Sequence, residues 1–204
     1  MKIQLAVDRV PLEQAIEIIQ EASPHFDIIE IGTSLFLDYG LEALRQIRPH
    51  VKQQVLADFK TMDEAEYEFT QLFSNGADIA TVMGGASLET IAICQEVAQK
   101  FNKDYMVDVM EVTDAKIKEI AKFEDAIICL HLPKDKGSDI QTFIQDFVSK
   151  HQLDNRLAAA GGIQLEDLPY LKEAGIEIAI VGSAITKSDD LKQTAALFME
   201  GAKK

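Results

Sequence analysis

The sequence predicts an α/β chain of the (β/α)8 TIM-barrel class, a single domain over residues 1–204. Three observations predict it. Short apolar runs alternate with stretches of helical spacing from one end to the other. The connections between them are short, as in a parallel sheet crossed by helices. The alternation repeats eight times at about 25 residues per unit, the number of units that closes a barrel. An open doubly wound sheet is the weaker alternative, and no G-x-G-x-x-G follows a strand to support a dinucleotide site.

Each element can be justified in order. Residues 3–8 read as strand one, and residues 12–22 as a helix with Leu12, Ala15, Ile16 and Ile19 on one face and Pro11 suited to its first turn. Residues 27–31 form strand two, and residues 39–47 a helix that stops before Pro49. Residues 54–57 are strand three; the helix over 63–73 ends at Asn75-Gly76. Residues 79–83 are strand four, and the helix over 88–101 takes Ser87 as its N-cap. Residues 105–110 and 113–122 form the fifth unit, with Thr113 as a possible cap, and 126–130 and 140–150 the sixth. Residues 157–160 and 165–173 form the seventh, ended by Gly175, and 178–181 and 191–199 the eighth.

Composition bounds the function. The 204 residues, 47% hydrophobic, suffice for one sizeable core. The formal charge of −14 and pI near 4.6 argue against a nucleic-acid binder, which needs a basic patch. No apolar run approaches the roughly 20 residues of a membrane span, and Met1-Lys2-Ile3-Gln4 enters a strand without a signal-peptide pattern. The two cysteines, Cys94 and Cys129, lie in apolar surroundings and read as buried free thiols. A cytoplasmic protein is expected. An anionic ligand on so acidic a chain needs backbone amides or a divalent cation.

In a barrel of this class the site lies at the C-terminal ends of the strands, and there the polar residues collect. Asp8 ends strand one, and Glu30 interrupts the apolar run of strand two. Asp58 and Lys60 end strand three, sharing a side parity if the strand runs that far, with Asp63 where the next helix begins. Asp108 lies in strand five and His131 ends strand six. Gly161-Gly162 and Gly182-Ser183 follow strands seven and eight, where such barrels bind phosphate through backbone N–H groups.

Each has a plainer reading. Asp8 serves equally as a helix cap, His131 as a structural histidine, Asp108 as a cap or a partner of Lys60, and the glycines as tight turns. Glu30 is harder to dismiss, because an unpartnered acid buried between Ile29 and Ile31 costs several kcal/mol; a salt bridge to Lys60 is its plainer reading. Their joint placement at one end of one barrel favours a site. Glu30 and Asp58, projecting from adjacent strands, suit Mg2+, a hard cation. Such an ion polarises two vicinal sugar oxygens and stabilises an enediolate. Lys60 adds charge to the same developing anion, and His131 moves a proton.

Asp58-Phe59-Lys60-Thr61-Met62-Asp63 is a D-x-K-x-x-D motif that resembles the signature of the orotidine 5′-monophosphate decarboxylase suprafamily. The likeness runs nearly end to end, through Leu5-Ala6-Val7-Asp8, Ile29-Glu30-Ile31-Gly32-Thr33, Gly76-Ala77-Asp78, Ala160-Gly161-Gly162-Ile163 and Val181-Gly182-Ser183-Ala184-Ile185. Metal-independent orotidylate decarboxylases carry lysine where this chain has Glu30. Among metal-dependent branches the chain is most similar to the 3-hexulose-6-phosphate synthases and next to the 3-keto-L-gulonate-6-phosphate decarboxylases. The latter carry an arginine just after the strand-eight glycine, where Ser183 stands here.

The resemblance implies Glu30 and Asp58 as Mg2+ ligands, Lys60 beside the enediolate, and Asp63 reaching into the partner's site in a homodimer. It implies Asp8, Asp108 and His131 around the sugar, and the glycine loops with Ser183 on the phosphate. The implied reaction is the reversible addition of formaldehyde to D-ribulose 5-phosphate, giving D-arabino-hex-3-ulose 6-phosphate. A sugar-acid-phosphate decarboxylase is the alternative, and a sugar-phosphate-binding barrel without turnover a third reading. The chain departs from the synthase pattern at His131-Leu132-Pro133-Lys134-Asp135-Lys136-Gly137, where Lys134 is either a cationic substitute or a solvated loop lysine.

Overall fold

A computed structural model describes residues 1–133 and 139–203. Eight parallel strands close into a barrel in sequence order: β1 (Lys2–Val7), β2 (Ile28–Ile31), β3 (Gln54–Thr61), β4 (Ile79–Met83), β5 (Asp104–Asp108), β6 (Ile127–His131), β7 (Arg156–Ala160) and β8 (Ile178–Val181). Closure is made by β1 against β8, in the register Ile3 to Ala179 and Leu5 to Val181. Around them run α1 (Leu12–Ala22), α2 (Thr33–Tyr39), α3 (Leu41–Ile47), α4 (Ala65–Ser74), α5 (Leu88–Phe101), α6 (Asp114–Ile120), α7 (Ile140–Lys150), α8 (Leu168–Glu173), α9 (Ser183–Thr186) and α10 (Leu191–Lys203).

Period-two alternation sorts each strand into two layers. Outward residues such as Ile3, Leu5, Ile29, Val55, Val107 and Ile128 pack under the helices. Inward residues Ile28, Leu56, Ile79, Met106, Ile127, Ala158 and Ile178 fill the barrel itself. Farther along the same inward faces stand Glu30, Asp58, Thr81, Asp108 and His131. The barrel is thus apolar below and charged at its C-terminal mouth.

The alternation expected from the sequence is present, with shifted boundaries. The second helical region begins at Thr33 rather than at residue 39, and Gly40, at φ +58°, divides it into α2 and α3. Strand three extends to Thr61, four residues past the predicted end. The helix expected from residue 63 begins at Ala65. Strand five stops at Asp108. The short helix α9, directly after Gly182, was not predicted. Ser87 and Thr113 cap α5 and α6, accepting from the N–H groups of Thr90 and Lys116. Cys94 and Cys129 are buried free thiols. No helix among the described residues is long and apolar enough to cross a membrane.

Candidate active site

The end of β3 organises the site. Ala57 pairs with Ala80 and Thr61 with Val82, so three residues of β3 (58, 59 and 60) face one residue of β4. The extra length is taken up as a bulge in which Lys60 adopts φ +60°. The simple parity argument for Asp58 and Lys60 therefore does not apply; the bulge, not alternation, brings them together. Lys60 Nζ lies 2.6 Å from Asp58 Oδ1 and 2.5 Å from Oδ2. Thr33 Oγ1, from the first turn of α2, lies 2.8 Å from Asp58 Oδ2, and Thr81 Oγ1 donates to Asp58 Oδ1 at 3.1 Å. Burial opposes the Lys60 ammonium, but Asp58 beside it and Asp108 beyond hold it charged, above the ordinary lysine value.

Asp108 and His131, on neighbouring strands, form a second pair. His131 Nδ1 is 2.7 Å from Asp108 Oδ2, while Asp108 Oδ1 accepts the Met110 N–H at 3.0 Å. The hydrogen bond to Asp108 raises the imidazole pKa against the opposing effect of burial. Burial pushes the Asp108 carboxyl up, yet His131 and Lys60 together bring it below its usual range. With Nδ1 committed to Asp108, Nε2 is the nitrogen left for a ligand. Lys60 Nζ is 3.8 Å from Asp108 Oδ2, which joins the two pairs into one network.

Glu30 is 8% exposed and points into the barrel, where Gln4 Nε2 donates to its Oε2 at 2.5 Å. The plainer salt bridge to Lys60 is not formed; Lys60 pairs with Asp58 instead. Burial, and then the negative charge of Asp58, push the Glu30 carboxyl up to about 8. Among the described residues no group of three or more His, Cys, Asp or Glu side chains is gathered closely enough to hold a metal ion alone. Two carboxylates suit a hard ion that keeps waters and takes its other oxygens from a ligand, as Mg2+ does. A cation between Glu30 and Asp58 would relieve the repulsion that raises Glu30.

The remaining predicted residues fall into three places. Asp8 crosses to α2, where its Oδ1 accepts the Ser34 N–H at 3.0 Å and the Ser34 hydroxyl, capping that helix from a neighbouring strand. Gly32 makes this possible, since a Cβ there would stand 2.6 Å from the Asp8 side chain. Gly161 and Gly162, at φ +116° and +71°, turn the chain after β7; a Cβ on Gly161 would meet Leu132 O at 2.5 Å. Gly182 and Ser183 open α9, whose first N–H groups lack intrahelical acceptors. Asp63 is exposed and lines a surface depression of about 470 Å³ with Tyr67, Thr70 and Ile93, outside the Asp58 network. Lys134 lies outside the described residues.

Sequence reading missed Gln4, Thr33 and Thr81, whose polar atoms hold Glu30 and Asp58. Gln4 carried a usable signal, as a polar residue in an apolar strand at the parity of Ala6. Thr33 and Thr81 carried none, because threonine is at home in strands and helix starts.

A closed eight-stranded barrel with ionised residues gathered at the C-terminal mouth defines the class: a (β/α)8-barrel enzyme. The profile of the orotidine 5′-phosphate decarboxylase / HUMPS family matches residues 1–198, and the chain belongs to that family. It is a carbon–carbon lyase. A relative from Bacillus subtilis, named 3-hexulose-6-phosphate synthase, is 35% identical over 201 residues, 96% of each chain. The crystal structure of 3-hexulose-6-phosphate synthase from Salmonella typhimurium superposes with a TM-score of 0.91 at 31% identity, covering 100% of this chain and 99% of that one. That of 3-keto-L-gulonate-6-phosphate decarboxylase from Vibrio cholerae superposes with a TM-score of 0.87 at 26% identity, covering 99% and 97%.

Proposed function

We propose that this lyase is an Mg2+-dependent aldolase that reversibly adds formaldehyde to D-ribulose 5-phosphate, giving D-arabino-hex-3-ulose 6-phosphate. The observation that carries the reading is the joined network of Asp58, Lys60, Asp108 and His131 beside buried Glu30. Glu30 and Asp58 are the residues that would hold the ion. When bound, such an ion would supply Lewis acidity toward the sugar's ketone and so make the neighbouring hydroxyl-bearing carbon more acidic. His131, in its neutral form, takes the proton from that carbon through Nε2, and Asp108 steadies the imidazolium formed. The Lys60 ammonium lies beside the enediolate oxygens and offsets their charge. The enediolate carbon then forms its bond to the carbonyl carbon of formaldehyde as that C=O π bond opens, and the new alkoxide takes back the proton held by the His131 imidazolium, which returns to its neutral form. The loops at Gly161-Gly162 and Gly182-Ser183 hold the phosphate through backbone N–H groups, and Asp8 lines the sugar.

We place Asp63 in the site of a partner copy in a homodimer. Its exposed position supports this, beside Met62 at 50% and Tyr67 at 66% exposure and next to Ile93. Large apolar side chains left uncovered in one patch mark an association surface.

The test is a product assay with purified, Mg2+-supplied protein. Formaldehyde and ribulose 5-phosphate should be consumed together to give a hexulose phosphate. Release of CO2 from 3-keto-L-gulonate 6-phosphate without formaldehyde consumption would assign the decarboxylase chemistry instead. Sugar-phosphate binding that survives Glu30→Gln and chelation, with neither product, would make the chain a non-catalytic binder.

A further inference from the structure

We propose that Thr81 is a positioning residue, and that its hydroxyl holds the bulged end of β3 in the arrangement that places Lys60 against Asp58. Thr81 lies on β4, which contributes none of the charged groups of the site, and is 3% exposed. Its hydroxyl accepts the Lys60 N–H at 2.9 Å and donates to Asp58 Oδ1 at 3.1 Å. A hydroxyl has one proton and two lone pairs, so both bonds form at once and in this direction only. The carboxylate cannot donate, and the amide cannot accept.

The register explains why such a group is needed. Between the pairs Ala57–Ala80 and Thr61–Val82 the ladder is interrupted, and Lys60 bonds to a side chain in place of a strand backbone. The backbone at φ +60° is one that a lysine keeps only where its surroundings impose it. The Thr81 hydroxyl supplies that imposition from one side, and from the other it orients the carboxylate that the Lys60 ammonium meets. One oxygen thereby sets both partners of the central ion pair.

The functional half of this inference rests on the aldolase reading; the structural half does not. Thr81→Val keeps the branched shape and removes the hydroxyl, Thr81→Ser keeps the hydroxyl, and Thr81→Cys holds the volume with a poor hydrogen-bonding group. The readouts are kcat and KM for the condensation, and hydrogen exchange of the Lys60 amide by NMR. The valine variant is expected to lose about a hundredfold in kcat with KM for ribulose 5-phosphate changed by less than about threefold, as a misplaced group rather than a lost binding contact would cause. Its Lys60 amide should exchange at least about tenfold faster. Serine should restore both, and cysteine should follow valine, which covers the case in which the valine variant does not fold. A valine or cysteine variant with wild-type kcat and a protected Lys60 amide overturns the proposal, as does a serine variant as impaired as valine. If the wild-type protein does not condense these substrates, the aldolase reading fails, and the positioning role is decided by the Lys60 amide exchange alone.

Discussion

Lys60 combines an unusual backbone with a shared charge: φ +60°, with Asp58 in contact and Asp108 at 3.8 Å. On the proposed reading, in which Lys60 offsets the enediolate charge and Asp58 holds the ion, Lys60→Ala and Asp58→Ala are each expected to reduce turnover below detection, about a thousandfold or more. Each leaves its former partner without a counter-charge and should cost stability, up to about 3–5 kcal/mol if the pair were fully buried, but the pair sits at the partly open mouth and the barrel should persist in both. Circular dichroism beside the condensation assay checks both halves; near-normal turnover in either variant would contradict the assignment. The His131–Asp108 pair adds a pH dependence. His131 acts as a base only when neutral, and Asp108 raises its pKa above 6.5. The rate should therefore rise with pH through a midpoint above that value. Asp108→Asn removes the main cause of the shift, so the rising limb should move to lower pH while kcat falls. A profile unchanged by that substitution would remove His131 from the proton transfer.

At the scale of elements, the strands were the most legible feature. Parallel strands buried on both faces must be continuously apolar, and runs such as Ile79-Ala80-Thr81-Val82-Met83 announce themselves. The acids that break such runs were legible for the same reason, and Glu30 is the clearest case. What was not legible depends on contacts between distant parts of the chain. Thr33 and Ser34 read as loop residues because the group that caps their helix, Asp8, comes from another strand. The bulge at Lys60 is a mismatch between two strands, invisible in either one alone. Helix α9, with four residues, is too short for any periodicity. At the opposite end of β3, Asp78 accepts the Val55 N–H at 2.9 Å and pairs with Arg48 at 3.0 Å and Lys103 at 2.5 Å. Burial would raise its carboxyl, but Lys103, the Val55 amide and Arg48 bring it below 3.8. A depressed folded-state pKa contributes stability that is present above the unfolded value and lost as pH falls through the folded one. Asp78→Asn is therefore expected to cost about 1–3 kcal/mol at neutral pH and progressively less as the pH falls below 3.8, measured by urea unfolding, with kcat at neutral pH unaltered. A loss independent of pH would show that the charge is not what stabilises this end.

On the scale of the whole molecule, the two ends of the barrel divide the work. Ion pairs around Asp78, Asp104 and Arg156 secure the N-terminal end, while the charges at the C-terminal mouth are arranged for chemistry. On so acidic a chain, with Lys60 already paired to Asp58, the proposed phosphate site would depend on the backbone amides near Gly162 and Ser183. If Asp63 serves the partner's site, Asp63→Ala and Asp58→Ala protomers, each inactive alone, should together regain activity. Random reassortment of the dimers gives about a quarter of the wild-type sites, and no recovery on mixing would confine Asp63 to its own subunit.

Gly161 ties two of these loops together. Its α-carbon sits so close to the carbonyl of Leu132 that no side chain fits between them, and Leu132 in turn donates its N–H to Ala160 at 2.9 Å. The turn that would grasp one end of a sugar phosphate and the strand end that carries the imidazole are thus fastened directly to each other. A base set in advance relative to the cradle stays aligned whether or not the cradle is filled, so substrates that lack the anchoring group should lose affinity, as a raised KM, more than they lose kcat.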